Sequence, residues 1–264
     1  MPHDIIDNRS EKLLDYILTT LPTTERARFA VGYLFLSGLK PLREQLERLT
    51  EIRLLIGNTT DRETIETLAE GYKRLEPVAE AAEAWRYPKR VAQQQAAQAT
   101  TANLADAFAL MDQTDEDEAI IQTVIRLIEE RKLKVRVYTR GRLHAKAYIF
   151  DYGPVYDLLG NPLPRPEKGL AVVGSSNLTL SGIELNAELN VVVHGNDNHA
   201  QLVNWFEVLW DEGQDFDAAL MDELRRSWAG GQAAETDGKP SPVSPHDIYL
   251  KTLYELVRDR LEGG

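Results

Sequence analysis

Cysteine is absent from all 264 residues. That excludes disulfides, thiolate zinc sites and a cysteine nucleophile, and it fits a reducing cytoplasm. Long apolar runs are missing as well. No segment approaches the roughly 20 apolar residues of a membrane span, and the opening MPHDIIDNRSEK has no apolar h-region. No amphipathic, basic or Trp-rich interfacial segment stands out either. The expectation is a soluble, cytoplasmic protein with no membrane partner. Positive charge is in deficit: 30 Lys and Arg against 42 Asp and Glu leave a net charge of −12, with a pI of about 5.0. Taken alone, that balance argues against a nucleic-acid protein. Catalytic signatures are missing too. The chain has no GxxxxGK[ST] phosphate loop, and His194 and His199 form no HExxH pair. These two histidines, after a strand and at a helix start, read as surface residues and not as metal ligands. Gly174-Ser175-Ser176-Asn177-Leu178 lacks the second glycine of a serine-hydrolase elbow. No metal or other cofactor is expected.

What is present starts with enough apolar residues, 43%, to bury a full core. Charge is also unevenly placed. Arg131, Lys132, Lys134, Arg136, Arg140 and Arg142 crowd into one stretch, while acid concentrates in Asp112–Glu118, Glu76–Glu83 and the helices after Asp211. Charges more than about 10 Å apart are largely screened, so the local field at a site matters more than the net charge. The basic run leads directly to RLHAKAYIFDYG. Its alternation predicts a strand over Leu143–Phe150, with His144, Lys146, Tyr148 and Phe150 on one face. An imidazole two residues from an ammonium pairs a nucleophile or proton carrier with an anion clamp. A second apolar run, Leu170–Val173, delivers Gly174-Ser175-Ser176-Asn177. Glycine permits close backbone approach, and the hydroxyls and amide are uncharged donors. Such a set suits a phosphate.

His144-x-Lys146-x4-Asp151, followed by Gly174-Ser175-x-Asn177, resembles the HKD motif of the phospholipase D superfamily. Glu188 is similar to the downstream carboxylate that orients the histidine in that family. The sequence departs from the shorter forms in one respect. Residues 152–173 intervene between Asp151 and Gly174, with Pro154, Gly160, Pro162, Pro164 and Pro166. Such a segment reads as an enlarged hairpin connection that leaves the strand ends together. The flanks GYLFLSGLKPL, EIRLLIGN, ELNVVV and WFEVLW further resemble the phospholipase D-like domain found N-terminal to Swi2/Snf2-type helicases. The resemblance implies phosphodiester cleavage through a phosphohistidine. His144, Lys146, Asp151, Ser175, Asn177 and Glu188 would form the site, and Ser175 and Asn177 would donate to phosphate. The cluster from Arg131 to Arg142 would face nucleic acid, with DNA favoured. One motif per chain implies a homodimer sharing one site, and the flanks imply a helicase motor as a partner. A catalytically weak nucleic-acid-binding and dimerisation module is the alternative, and a lipid phosphodiesterase is less favoured.

Chain order predicts an α/β fold: a phospholipase D-like mixed sheet flanked by helices, with a helical insert and a C-terminal helix after a linker. The domain is expected over 1–229 with the insert at about 61–130, the linker over 230–245 and the last helix within 246–264. A helix is expected over 9–20, then a strand over Arg28–Phe35. Another helix, capped by Ser37, is expected to run through Leu49, with a strand over Glu51–Ile56 making a parallel pair by right-handed crossover. Further strands are expected over Lys134–Thr139 and Glu188–His194. Closing helices are expected over Asn198–Trp210 and Asp217–Trp228, their aromatic stripes facing the core.

Overall fold

The computed structural model describes residues 4–32, 34, 36–57, 114–141, 143–227 and 229. Most of the expected insert, the linker and the last helix lie outside them, as do Arg142 and Trp228. In chain order the elements are β1 (Ile5–Ile6), α1 (Leu13–Thr20), β2 (Thr24–Val31), α2 (Leu36–Leu39), α3 (Arg43–Leu46) and β3 (Glu51–Gly57). After the undescribed segment come α4 (Asp115–Glu129), β4 (Leu133–Tyr138), β5 (Lys146–Tyr152), β6 (Val155–Tyr156), β7 (Pro162–Leu163) and β8 (Gly169–Gly174). The chain closes with β9 (Asn190–Val193), α5 (Asn196–Glu212), β10 (Gln214–Asp215) and α6 (Asp217–Arg226). Among the described residues the main sheet has eight strands in the order β1-β9-β8-β5-β2-β3-β4-β10. The expected β2–β3 parallel pair forms, with Phe29 opposite Leu54, and β4 extends it in parallel. β5 runs antiparallel to both β2 and β8, so the sheet is mixed.

The central strands are buried on both faces, which explains their nearly continuous apolar runs. On one face Phe29 packs against Tyr148 and Phe150, ring centroids 5.5 and 5.9 Å apart, within a core that also takes in α1, α4 and α6. On the other, Ala30, Leu55, Ala147, Ile149 and Ala171 meet Phe206 and Trp210 of α5. Helix α4 starts on a Thr114 side chain that accepts from Asp117 N, with four acidic residues in its first turn. Those carboxylates suit the positive end of the helix dipole.

Besides the strand expected over Arg28–Phe35, which runs over Thr24–Val31 instead, two expectations need correction. The helix from Ser37 to Leu49 is broken into α2, a 3₁₀ turn at Lys40–Leu42 and α3. Pro41 is the cause, since it has no amide hydrogen and disfavours the helical conformation of the residue before it. Its stripe survives, because Leu39, Leu42, Leu46 and Leu49 are all buried. The second correction concerns the strand expected to begin at Leu143, which begins at Lys146, leaving His144 on the preceding loop. The proline-rich segment after Asp151 behaves as expected, because β5 and β8 remain neighbours with Lys146 opposite Gly174.

Candidate active site

The mixed strand directions gather one set of ends along a single edge of the sheet. β2, β3 and β4 finish there, β8 finishes with Gly174, and β5 and β9 start there. Three groups meet over Gly32. A methyl group built on that glycine would sit 3.1 Å from Asn177 Oδ1, 3.3 Å from Leu143 O and 3.9 Å from Lys146 Cε. The Gly32 amide donates to Asn177 Oδ1 at 3.0 Å. Gly57 lies directly beside it, since a Cβ there would meet Gly32 O at 2.5 Å and Leu143 O at 3.1 Å. Two glycines therefore leave room for the loop that carries His144, which is exposed. Lys146 is half-buried on the face shared with Tyr148 and Phe150, and no carboxylate among the described residues pairs with it. An ammonium with no carboxylate partner among the described residues, beside an oriented carboxamide, can bind an anion.

The loop after β8 is held by buried polar contacts. Tyr148 donates its hydroxyl to Ser176 O at 2.9 Å. Asn190, fully buried, donates from Nδ2 to Ser176 Oγ at 2.9 Å, and its Oδ1 lies 3.4 Å from Ser176 N. A side chain at Gly174 would overlap Asn190 Oδ1, so glycine is required for this packing. Ser175, exposed at the loop's tip, donates to Glu188 Oε2 and accepts from Leu189 N at 3.1 Å. Glu188 thus engages Ser175 in this structure. Sequence reasoning had paired these residues differently. It also passed over Gly32 and Asn190, which support the edge from strands brought together only by folding, and it did not foresee that Tyr148 and Ser176 hold the loop together.

Asp151 is not brought to this edge. It lies five residues along β5 from Lys146, about 16 Å away at ~3.3 Å per residue, and its side chain faces α5. Arg28 Nη1 donates to Asp151 Oδ2 at 2.5 Å, and Arg26 Nε lies 3.4 Å from the same oxygen. His199 Nε2 is 3.2 Å from both Asp151 Oδ1 and Phe150 O. Glu207 extends the network, accepting from Arg28 Nε at 3.0 Å and from Arg53 Nη1 at 2.8 Å. Burial pushes the Asp151 pKa up, but the His199 hydrogen bond and the Arg28 charge outweigh it, so the carboxyl titrates below its ordinary range. His199, expected at the surface, is buried. It fills a slot that any side chain at Gly169 would occupy.

The basic run is divided as well. Lys134 pairs with Glu51 at 2.7 Å and Lys132 with Glu130 at 3.0 Å, both at the start of β4, beside the exposed Arg131. That end is remote from Lys146. Arg136 donates to Trp210 O at 2.7 Å and stacks over the Trp210 ring, 4.8 Å from its centroid. Arg140, beyond the other end of β4, pairs with Glu212 at 3.1 Å. Arg142 lies outside the described residues, so among the described members Arg140 is the one nearest the His144 loop in the fold. No group of three or more Asp, Glu and His side chains among the described residues is placed to hold a metal ion.

Residues 24–210 match a family described as "Cardiolipin synthase, PLD-like domain". Among solved structures, the chain is similar to Nuc of Salmonella typhimurium, a phospholipase D family member. Identity is 12% and the TM-score 0.42, covering 80% of this chain and 95% of that one. NucT from Helicobacter pylori follows at 11% and 0.39, covering 77% and 91%. Phosphatidylserine synthase of Haemophilus influenzae aligns at 12% and 0.44, covering 97% and 45%. No curated protein matches. The family match spans well over half of the sequence and takes in both arms of the edge built around Gly32, and the chain belongs to the phospholipase D-like family.

Proposed function

We propose that this protein is a phosphodiesterase that cleaves DNA through a phosphohistidine, without a metal ion, at a site shared by two chains. The observation that carries the reading is the edge around Gly32. There the Lys146 ammonium and the Asn177 carboxamide converge beside the exposed His144 loop. His144 attacks phosphorus, forming a P–N bond while the P–O bond to the leaving oxygen breaks. The second chain's His144 gives its proton to that oxygen. Water then attacks phosphorus and surrenders a proton to the second histidine, the P–N bond breaks, and the first His144 is released. Splitting one displacement into two lowers each barrier. Lys146 and Asn177 stabilise the charge that builds on the phosphoryl oxygens. Glu188 acts through Ser175, fixing the loop that carries Asn177.

Support for a second chain comes from the surface next to the site. Ile5, Leu185, Leu189 and Val191 are exposed apolar side chains on β1, β9 and the segment on either side of Glu188. A two-fold mate seated there would cover them and bring its own edge close. The flanking resemblance to helicase-linked domains supports a motor as a further partner. The deciding experiment is a plasmid-cleavage assay in excess EDTA, run beside a phosphatidylcholine hydrolysis assay. The expected result is nicking of DNA that persists in EDTA and disappears in His144→Asn, with no lipid product. Cleavage abolished by EDTA and restored by Mg²⁺ would overturn the histidine mechanism.

A further inference from the structure

The segment between Asp151 and Gly169 carries a concentration of exposed apolar side chains. β6 and β7 form a two-stranded hairpin outside the main sheet, and its tip is apolar. Leu158 is 106% and Leu159 88% exposed, while Val155, Tyr156 and Leu163 are each at least 40% exposed. Single exposed apolar residues are ordinary, but five in one projecting hairpin are not. The hairpin is also rigidly built. Asp157 Oδ1 accepts from Leu159 N at 2.9 Å and from Asn161 N at 2.8 Å, and Oδ2 accepts from Asn161 Nδ2 at 3.0 Å. Gly160 takes φ +82° to close the turn. At the base, Arg165 stacks on Tyr152 at 4.1 Å and donates to Gly153 O at 2.9 Å. Asn196 holds the returning strand by accepting from Lys168 N at 2.8 Å and donating to Pro166 O at 2.9 Å. The acid at the tip is thus consumed by the turn, and the two leucines are left facing solvent in a fixed conformation.

We infer that this hairpin docks the protein onto a lipid bilayer, with Leu158 and Leu159 entering the interface. Shape decides the occupant. A stable protein interface buries on the order of 800 Å² per partner, far more than a convex tip of two leucines offers. Such a tip is suited to the acyl boundary, with Tyr156 beside it and Arg165, Glu167 and Lys168 forming a polar collar at the base. The surface lipid is zwitterionic, since the hairpin's own charges, Asp157 and Glu167 against Arg165 and Lys168, cancel and more distant charges are screened. The hairpin leaves β5 and re-enters β8 at the end opposite Lys146 and Gly174. A bilayer held there leaves the catalytic edge turned toward water, consistent with a soluble substrate and not a lipid one. This inference stands whether or not the edge cleaves DNA.

The test is co-sedimentation of the full chain with phosphatidylcholine vesicles at two salt concentrations, beside Leu158→Asp/Leu159→Asp. The wild type should pellet with vesicles equally well or better at high salt, because apolar insertion is not weakened by screening. The double variant should lose at least tenfold in partitioning while keeping its thermal transition and its oligomeric state. Wild-type protein that stays in the supernatant, or a variant that binds as well, would overturn the inference. So would a variant that turns an oligomer into monomers, which would make the tip a contact between chains.

Discussion

Asp151→Asn separates the structural account of this carboxylate from the catalytic role that its place in the motif implies. Arg28 would lose its 2.5 Å partner, and both side chains are nearly buried, at 9% and 11% exposure. Breaking a buried pair costs roughly 3–5 kcal/mol, because one charge is left uncompensated. Arg28 keeps Glu207 at 3.0 Å, so the lower end applies, about 3 kcal/mol. For a domain of this size each kcal/mol shifts Tm by roughly 2–4 °C, which predicts a drop of about 6–12 °C. The Asp151 pKa is lowered in the folded state, so its contribution is present above the unfolded carboxyl pKa and is lost as pH falls through the folded one. The gap between wild type and variant should therefore be full at pH 7 and close in strong acid. Thermal and urea unfolding followed by circular dichroism read both quantities. Cleavage by the folded variant at low temperature should stay within about threefold of wild type, given the ~16 Å between Asp151 and Lys146 along the strand. A hundredfold loss of activity at unchanged Tm would refute this reasoning.

Lys146→Ala should lower turnover by on the order of 10²-fold without a change in Tm, since it removes a donor to the developing charge and breaks no ion pair among the described residues. Gly32→Ala should also lower turnover, because its methyl group would press on Asn177 Oδ1 at 3.1 Å; single-turnover kinetics beside a melting curve separate that effect from unfolding. When wild-type and His144→Asn chains are mixed at random, activity should follow the square of the wild-type fraction, and a straight line would remove the shared site. Arg140→Glu should flatten the dependence of DNA affinity on salt by roughly 0.9 log units per log unit, one phosphate's worth, whereas Lys134→Glu should leave it unchanged.

Much of the fold is legible in the sequence because its elements are defined by local periodicity. The β2–β3 crossover, the helical stripes and the position of each main strand all follow from spacing within a few residues. The HKD spacing was equally visible, since His144, Lys146 and the loop from Gly174 to Asn177 are written as two short motifs. His199 could have been found in the same way. It lies seven residues before Phe206, two turns along the same buried stripe of α5, yet a polar residue at a helix start suggested the surface.

The roles within the motif were not legible, because they depend on which strand lies beside which. Asp151 shares a motif with His144 and Lys146, but the strand carries it about 16 Å from Lys146 and onto the opposite face, where Arg28 and His199 await it. Spacing cannot show that, since the partners come from β2 and α5, more than a hundred residues earlier and nearly fifty later. The described members of the basic run were separated for the same reason: β4 stands between Lys132 and Arg140, and Lys132, Lys134 and Arg140 pair with Glu130, Glu51 and Glu212 respectively. Conversely, Gly32 and Asn190 look ordinary in the sequence. They matter because antiparallel pairing of β5 with β2 and β8 brings one strand's start against the others' ends. Sequence determined which groups the protein owns and the elements that carry them. Tertiary structure decided which of those groups stand together at one edge, because that is a matter of strand order and direction.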